Sequence, residues 1–394
     1  MVTTGLEHLL QEKSLFDKFK GNVALLCHSA SVDSELNHSL IKFKEAFGKR
    51  LVKVFGPQHG FVTDVQDNMI ESDHYTHPYF NLPIYSLYSE TRIPTDEMLK
   101  GVDHLFIDLQ DVGTRIYTYI YTMTLILEKC AGLDIEVIIL DRPNPIGLNQ
   151  VEGNILDTKF QSFVGRHALP VRHAMTMGEI AHMHQKFWAQ DKCNLTVISM
   201  KGLSRDMYFE DTKLPWVMPS PNLPTIEGCF TFVGTVLFEG TNISEGRGTT
   251  RSLEIVGHPG IKAFEFQNEL EKKLQKEDLG DYKLRPLNFV PTFQKHAGNS
   301  CGGFQIHILD RKTFKPWKLN QILCKEFMNY LKSNFKYKED AYEYETDINP
   351  IDMINGTDRL RHWYEENGSN SFLDLIEKED MNDFMKKRSE VLLY

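Results

Sequence analysis

Short, nearly continuous apolar runs recur along the first half of the chain, at Asn22–Ser29 (NVALLCHS), Leu51–Phe55, His104–Leu109 (HLFIDL), Glu136–Leu140 (EVIIL) and Leu195–Met200. Runs of this kind mark strands covered on both faces. Between them lie helix-like segments at Ser39–Phe47, Thr95–Lys100, Tyr117–Ala131 and Met177–Ala189, the last with Met177, Ile180, Met183 and Phe187 at helical spacing. Strands alternating with helices predict an α/β fold with a mostly parallel sheet and helices on both sides. After about residue 225 the pattern changes. An apolar run, Phe230–Phe238, leads into a Gly/Thr/Ser-rich stretch, Glu239–Arg251 (EGTNISEGRGTTR). An amphipathic helix from Ile261 to about Lys276, a strand-like Phe304–Leu309 and a helix near Leu319–Phe335 follow, and the acidic and aromatic stretch Tyr337–Asp347 reads as a solvated connection. The division expected is 1–255 for the sheet domain and 256–394 for a smaller one.

The polar residues sharpen this picture, because each apolar run ends in a chemically capable cluster. His28-Ser29 and Ser31 follow the first, Gly56-Pro57-Gln58-His59-Gly60 the second, Asp108–Arg115 (DLQDVGTR) the third and Asp141-Arg142-Pro143-Asn144-Pro145 the fourth. Ligands of open α/β sheets sit beyond the carboxyl ends of the strands, so the four clusters are expected to meet in one crevice.

Composition sets outer bounds. The 394 residues are 41% hydrophobic and 25% charged, enough to bury a sizeable core. A net charge of −10 lacks the concentrated basic surface of a nucleic-acid binder. No apolar run approaches the roughly 20 residues that span a bilayer. The start, Met1–Leu10, lacks the basic-then-apolar signal pattern, which places the chain in the cytoplasm, or in the periplasm or outside the cell if a leader has been removed. Six scattered cysteines without a CxxC pair read as reduced, mostly buried thiols. GxGxxG, GxxxxGK[ST] and HExxH motifs are absent, which removes the dinucleotide, P-loop and zincin readings.

Each polar cluster has a functional and a structural use. Gln58-His59, in a tight Gly-flanked turn, projects a polar pair into the crevice or forms a hydrogen-bonded turn. Asp108, Gln110, Asp111 and Arg115 can orient a polyhydroxylated ligand, or cap the next helix and pair with one another. Tyr117, Tyr119 and Tyr121, at spacing two, offer a ring for stacking or simple packing. Asp141, Arg142 and Asn144 are stiffened by two prolines. A rigid arginine there suits a carboxylate clamp or an ion pair with a neighbouring aspartate. Arg172-His173 repeats the basic theme. Glu239, Asn242, Glu245 and Arg247 share a loop with Gly240, Gly246 and Gly248, where backbone can approach a ligand closely. His59, Asp108, Asp111 and Asp141 have no spacing diagnostic of a metal, so no metal or cofactor is assigned.

Together the segments resemble the bacterial family of NamZ-type exo-β-N-acetylmuramidases, formerly a domain of unknown function. The matching pieces are TGLEHLL (Thr4–Leu10), FGPQHGF (Phe55–Phe61), LPIYSLY (Leu82–Tyr88) and PTDEML, then DLQDVGTRIYTYIYTM, LDRPNPIG, EGNIL, SFVG, LPVRHAMTMGEIA, PSPNLPT and FEGTNISEGRGTT. The match is dense from residue 4 to about 260. It implies a Rossmann-like domain, a smaller C-terminal α+β domain and an active site in the cleft between them. The implied reaction is release of non-reducing terminal N-acetylmuramic acid from peptidoglycan fragments, so the expected partner is a muramic-acid-terminated saccharide or muropeptide. Arg115, Arg142, Arg172 and Arg247 are then candidate forks for the lactyl carboxylate. Gln58, Asp108, Gln110, Tyr117, Asp141, Asn144, His173, Asn222 and Asn242 are candidates for reading hydroxyl and acetamido groups. Glu239, Glu245 and Asp111 supply carboxyls for acid/base work, with His59 beside them. One departure matters: many members carry glutamate, as PEHG, where this chain has Gln58. Glutamine cannot act as a general acid, so the chemistry moves to another carboxyl, with Glu71 and Asp67 nearby, or the protein is a weakened enzyme that binds muropeptide sugars.

Overall fold

A computed structural model of the chain describes residues 1–66 and 69–394. The expected alternation forms a seven-stranded sheet in the order β3-β4-β2-β1-β5-β6-β7. The strands are β1 (Val23–Cys27), β2 (Leu51–Gly56), β3 (Tyr75–Thr76), β4 (Pro83–Ser86), β5 (His104–Asp108), β6 (Glu136–Leu140) and β7 (Asn194–Ile198). All neighbours pair in parallel except the short edge strand β3, which runs antiparallel to β4. The continuous apolar runs are explained by two-sided burial. Ala24 and Leu26 of β1 pack with Leu105, Ile107, Val137 and Ile139, whereas Val23, Leu25 and Cys27 pack with Val54, Phe106, Ile138 and Leu140 on the opposite face.

The C-terminal body is built on an antiparallel sheet, β8 (Ile255–His258), β10 (Cys301–Ile308) and β9 (Tyr282–Phe289), with β10 in the middle. Helices Ala263–Leu274 and Pro316–Leu331 cover it, placing Phe266 and Phe327 against Phe304 at ring distances of 6.2 and 6.3 Å. Phe230–Phe238 is mostly helix, Ile226–Thr235, and it packs against Pro316–Leu331 ahead of residue 255. One apolar layer runs from the Tyr119–Cys130 helix through Phe232 to Trp317 and Phe327, so the two bodies share a core.

Arg115 locks them together. Its fully buried guanidinium donates to the main-chain carbonyls of Asn154 and Leu169 (2.8 and 2.9 Å) and to those of Ile354 and Asn355 (3.2 and 2.8 Å) at the end of the C-terminal helix Pro350–Asn355. Four satisfied contacts make it a structural bolt, not a fork for a ligand. The Tyr337–Asp347 stretch also departs from expectation. Most of it is exposed, as expected, but Tyr342 and Glu343 are buried, because the chain turns back over the carboxyl ends of the parallel strands.

Candidate active site

The loop after β2 is forced into a tight turn. A Cβ on Gly56 would lie 2.6 Å from the Phe61 nitrogen, His59 takes φ +67° and Gly60 φ +75°, and the Gly60 N–H donates to the Pro57 carbonyl (2.9 Å). His59 pins the next segment through Nδ1 and the Val65 carbonyl (2.9 Å). The turn aims Gln58 into a crevice whose other wall is C-terminal. Gln58 Oε1 accepts from the Thr118 hydroxyl (2.5 Å), and Gln58 Nε2 donates to Glu343 Oε1 (3.1 Å). The Tyr88 hydroxyl donates to the other Glu343 oxygen (2.7 Å). Glu343 and Tyr344 both hold left-handed backbone, φ +48° and +68°, a conformation costing a non-glycine residue about 1–3 kcal/mol and concentrated at functional sites.

A second cluster comes from the loop after the Ile226–Thr235 helix. Gly246 and Gly248, at φ +79° and +80°, are hemmed in by main-chain oxygens of Arg251 and Phe293, leaving no room for a Cβ, and they hold Arg247 between them. Arg247 Nη2 pairs with Glu239 Oε1 (2.7 Å), and Arg247 Nη1 with Glu245 Oε1 (3.4 Å). Lys295 reaches Glu245 Oε2 (2.7 Å), and the Tyr342 hydroxyl donates to Glu239 Oε2 (2.5 Å). The outer crevice measures about 690 Å³, within the roughly 300–1,000 Å³ of small-ligand sites, and its lining includes Glu239, Glu245, Arg247, Lys295, Lys338 and Tyr342. It narrows inward past Gln58, Tyr117, Ser220, Glu239 and Glu343. Lys338 lies 5.4 Å over the Tyr342 ring.

These carboxyls sit in opposed environments. Burial drives Glu343 up to about 7; hydrogen bonds from Tyr88 and Gln58 oppose the rise, and the charge of Glu239 adds to it. Burial also pushes Glu245 upward, but Lys295 and Arg247 outweigh it and hold the carboxyl below its ordinary range. Up to about pH 7 Glu343 keeps a proton while Glu245, in the outer crevice, is ionised, the arrangement that separates acid from base roles.

Of the sequence candidates, Gln58, His59, Tyr117, Glu239, Glu245 and Arg247 line this crevice. The others do not. Arg142 is no free clamp: it forms a buried bidentate pair with Asp108 (2.5 and 2.9 Å) and donates to the Val32 carbonyl. Arg172 is buried, donates to the Ile146 carbonyl and stacks over Phe230 at 5.5 Å. Gln110 bonds the carbonyls of Asp111 and Pro143, and Asn144 braces Met175 and Ile146. Asp141 accepts from Gly178, Thr176 and Tyr394, with burial raising it to about 6. Asp111 caps the Gly113 N–H and lies 3.5 Å from His173. Asn222 bonds the Gln66 carbonyl, and Asn242 bonds the Asn334 carbonyl. Glu71 is half-exposed and pairs with Arg92 (3.6 Å). Asp67 lies outside the described residues. Glu343, Tyr342, Lys295 and Lys338 were missed; aromatic residues alternating with acids at Tyr342-Glu343-Tyr344 were the available signal.

A two-body α/β protein whose crevice sets a protonated carboxyl beside ion-paired ones has the equipment of an acid/base hydrolase. The comparisons narrow that class. The N-terminal domain of the exo-β-N-acetylmuramidase NamZ matches residues 23–227 and its C-terminal domain residues 230–394; the chain belongs to this family. It is 39% identical over 396 residues to the peptidoglycan β-N-acetylmuramidase NamZ of Bacillus subtilis (strain 168), covering 100% of this chain and 91% of the relative. Two crystal structures of DUF1343 family proteins from Bacteroides fragilis NCTC 9343 share the fold. Their TM-scores are 0.87 and 0.75, with 28% and 29% identity, all of this chain and 99% of each of theirs covered.

Proposed function

We propose that the protein hydrolyses the bond joining a non-reducing terminal N-acetylmuramic acid to the next residue of a peptidoglycan fragment. The observation that carries the reaction is the buried Glu343 carboxyl, raised to about 7 beside the Arg247-paired Glu239. Glu343 gives its proton to the glycosidic oxygen as the C1–O bond breaks, so the leaving sugar departs as an alcohol. Glu239 faces the positive charge that grows at C1 and at the ring oxygen; water then adds to C1 and releases a proton to the carboxyl set. Gln58 and Tyr88 orient the acid, and Tyr342 orients Glu239. Arg247, Lys295 and Lys338 give the crevice a cationic side for the lactyl carboxylate. The test is incubation of folded protein with a synthetic β-N-acetylmuramic acid glycoside. Release of the aglycone is expected, and none above blank overturns the reading.

Gln58 supports a second reading, a muropeptide-sugar binder with weakened turnover, because its amide stands in the crevice where an acid would serve. This reading expects affinity without hydrolysis and a gain of activity in Gln58→Glu. Ready turnover by the natural sequence removes it.

A further inference from the structure

A second cluster of ligand-type side chains lies away from the crevice. Glu128 is near the end of the Tyr119–Cys130 helix, His167 is on the following loop region, and His184 opens the π-helical turn His184–Trp188 that prolongs the Met177–Met183 helix. One ligand atom from each lies within 4.8 Å of the other two. His184 is only 1% exposed, yet neither ring nitrogen has a hydrogen-bond partner; His167 Nε2 is also buried and unpartnered. A neutral imidazole carries one N–H and one lone pair, and each buried group left unsatisfied is destabilising. Two buried histidines with unpartnered nitrogens, converging beside a carboxylate, therefore need a cause. Single π-turns within helices are frequent at functional sites, and this one carries His184 at its first position.

We infer that Glu128, His167 and His184 form a binding site for a divalent transition metal of the zinc type. Two imidazoles and one carboxylate match zinc ligation and leave a fourth position for water, whereas calcium and magnesium call for oxygen ligands throughout. Burial lowers His167 to about 3 and His184 to about 4, so both rings stay neutral and offer lone pairs at neutral pH. The exposed Glu128 gives entry from solvent. The opposing charge is Arg166, which holds the Glu128 oxygens at 3.2 and 3.0 Å; a carboxylate has about four lone-pair sites and can serve both. Trp188 stacks on His167 at 4.3 Å and 8°, fixing that ring's plane. None of the three ligands lines the catalytic crevice, so the metal's part is to join three segments of the N-terminal body.

The experiment uses the untagged full chain stripped with a chelator, dialysed and titrated with zinc sulfate. Calorimetry and tryptophan fluorescence report binding, and cobalt(II) absorption reports the ligand field. One equivalent should bind saturably, raise the melting temperature, quench or shift the Trp188 signal and give cobalt a tetrahedral spectrum. His184→Ala and His167→Ala should weaken binding by more than the roughly 10–100-fold that outer-sphere partners carry. Should either histidine variant misfold, Glu128→Gln at the exposed rim keeps the fold and should still weaken binding about tenfold or more. Glycoside hydrolysis by metal-free protein should be unchanged. Absence of saturable binding by folded natural sequence overturns the inference, as does zinc affinity that survives in His167→Ala/His184→Ala or in Glu128→Gln.

Discussion

Replacing Glu343 with glutamine removes the transferable proton at nearly constant volume and gives up the hydrogen bond from Gln58 Nε2. The amide fills the same volume, and its oxygen can still accept from the Tyr88 hydroxyl, which lies 2.7 Å from the carboxyl in the natural chain. General-acid catalysis contributes about 10²–10⁴-fold, equivalent to about 3–5 kcal/mol of transition-state stabilisation, and kcat/KM should fall by that factor. The loss should depend on the leaving group. A sugar alcohol cannot depart without a proton, whereas a nitrophenolate can, so hydrolysis of a disaccharide should suffer far more than that of a nitrophenyl glycoside. The pH profile adds an independent mark. Because burial holds the carboxyl up to about 7, natural activity should decline as pH rises through that value, and the variant should lack this alkaline limb. The assay is steady-state release of N-acetylmuramic acid from both substrates across pH, with a melting curve to establish folding. A folded variant that retains disaccharide activity within about twofold, or keeps the same alkaline limb, would refute Glu343 as the acid.

Other outcomes follow from the same contacts. Lys338→Ala should raise KM for a muramic acid glycoside and leave that of the N-acetylglucosamine analogue unchanged; equal effects on both would remove Lys338 from lactyl recognition. Asp108→Asn strands the buried Arg142 guanidinium and should destabilise the fold by about 3–5 kcal/mol in denaturant titration, with KM of the remaining folded enzyme unaltered. Glu152 is fully buried, and burial, helped by the Glu377 charge, raises it to about 8 from 4.5. The folded state thus binds more protons than the unfolded one between these values, so the stabilising share of this group is lost as pH climbs from about 4.5 to 8, and Glu152→Gln should flatten that part of the stability curve. Tyr342→Phe removes the donor to Glu239 and should lower kcat more than it changes KM, read from initial rates.

The sheet was legible because two-sided burial leaves an unbroken apolar run at each strand, and β1, β2, β5, β6 and β7 fall on the five runs. Of the four strand-end clusters expected to meet in one crevice, only Gln58-His59 lines it, and the fate of the other polar residues was not legible. Asp108, the last residue of β5, and Arg142, just past β6, neutralise each other, a pairing that local pattern cannot separate from a ligand clamp. Arg115 satisfies its donors with carbonyls up to 240 positions away, which no spacing rule reaches. Glu343 escaped for a related reason. Tyr337–Asp347 has the composition of a solvated segment and is mostly exposed, and only the docking of the C-terminal body takes Tyr342 and Glu343 out of water.

The bond from Gln58 to Glu343 spans 285 positions of sequence. A nascent chain can complete its parallel sheet and still be inert, because half of the catalytic wall has not left the ribosome. With Glu343 as the acid, competence waits until the final quarter of the polypeptide closes over the first, and molecules clipped before it should not release the sugar.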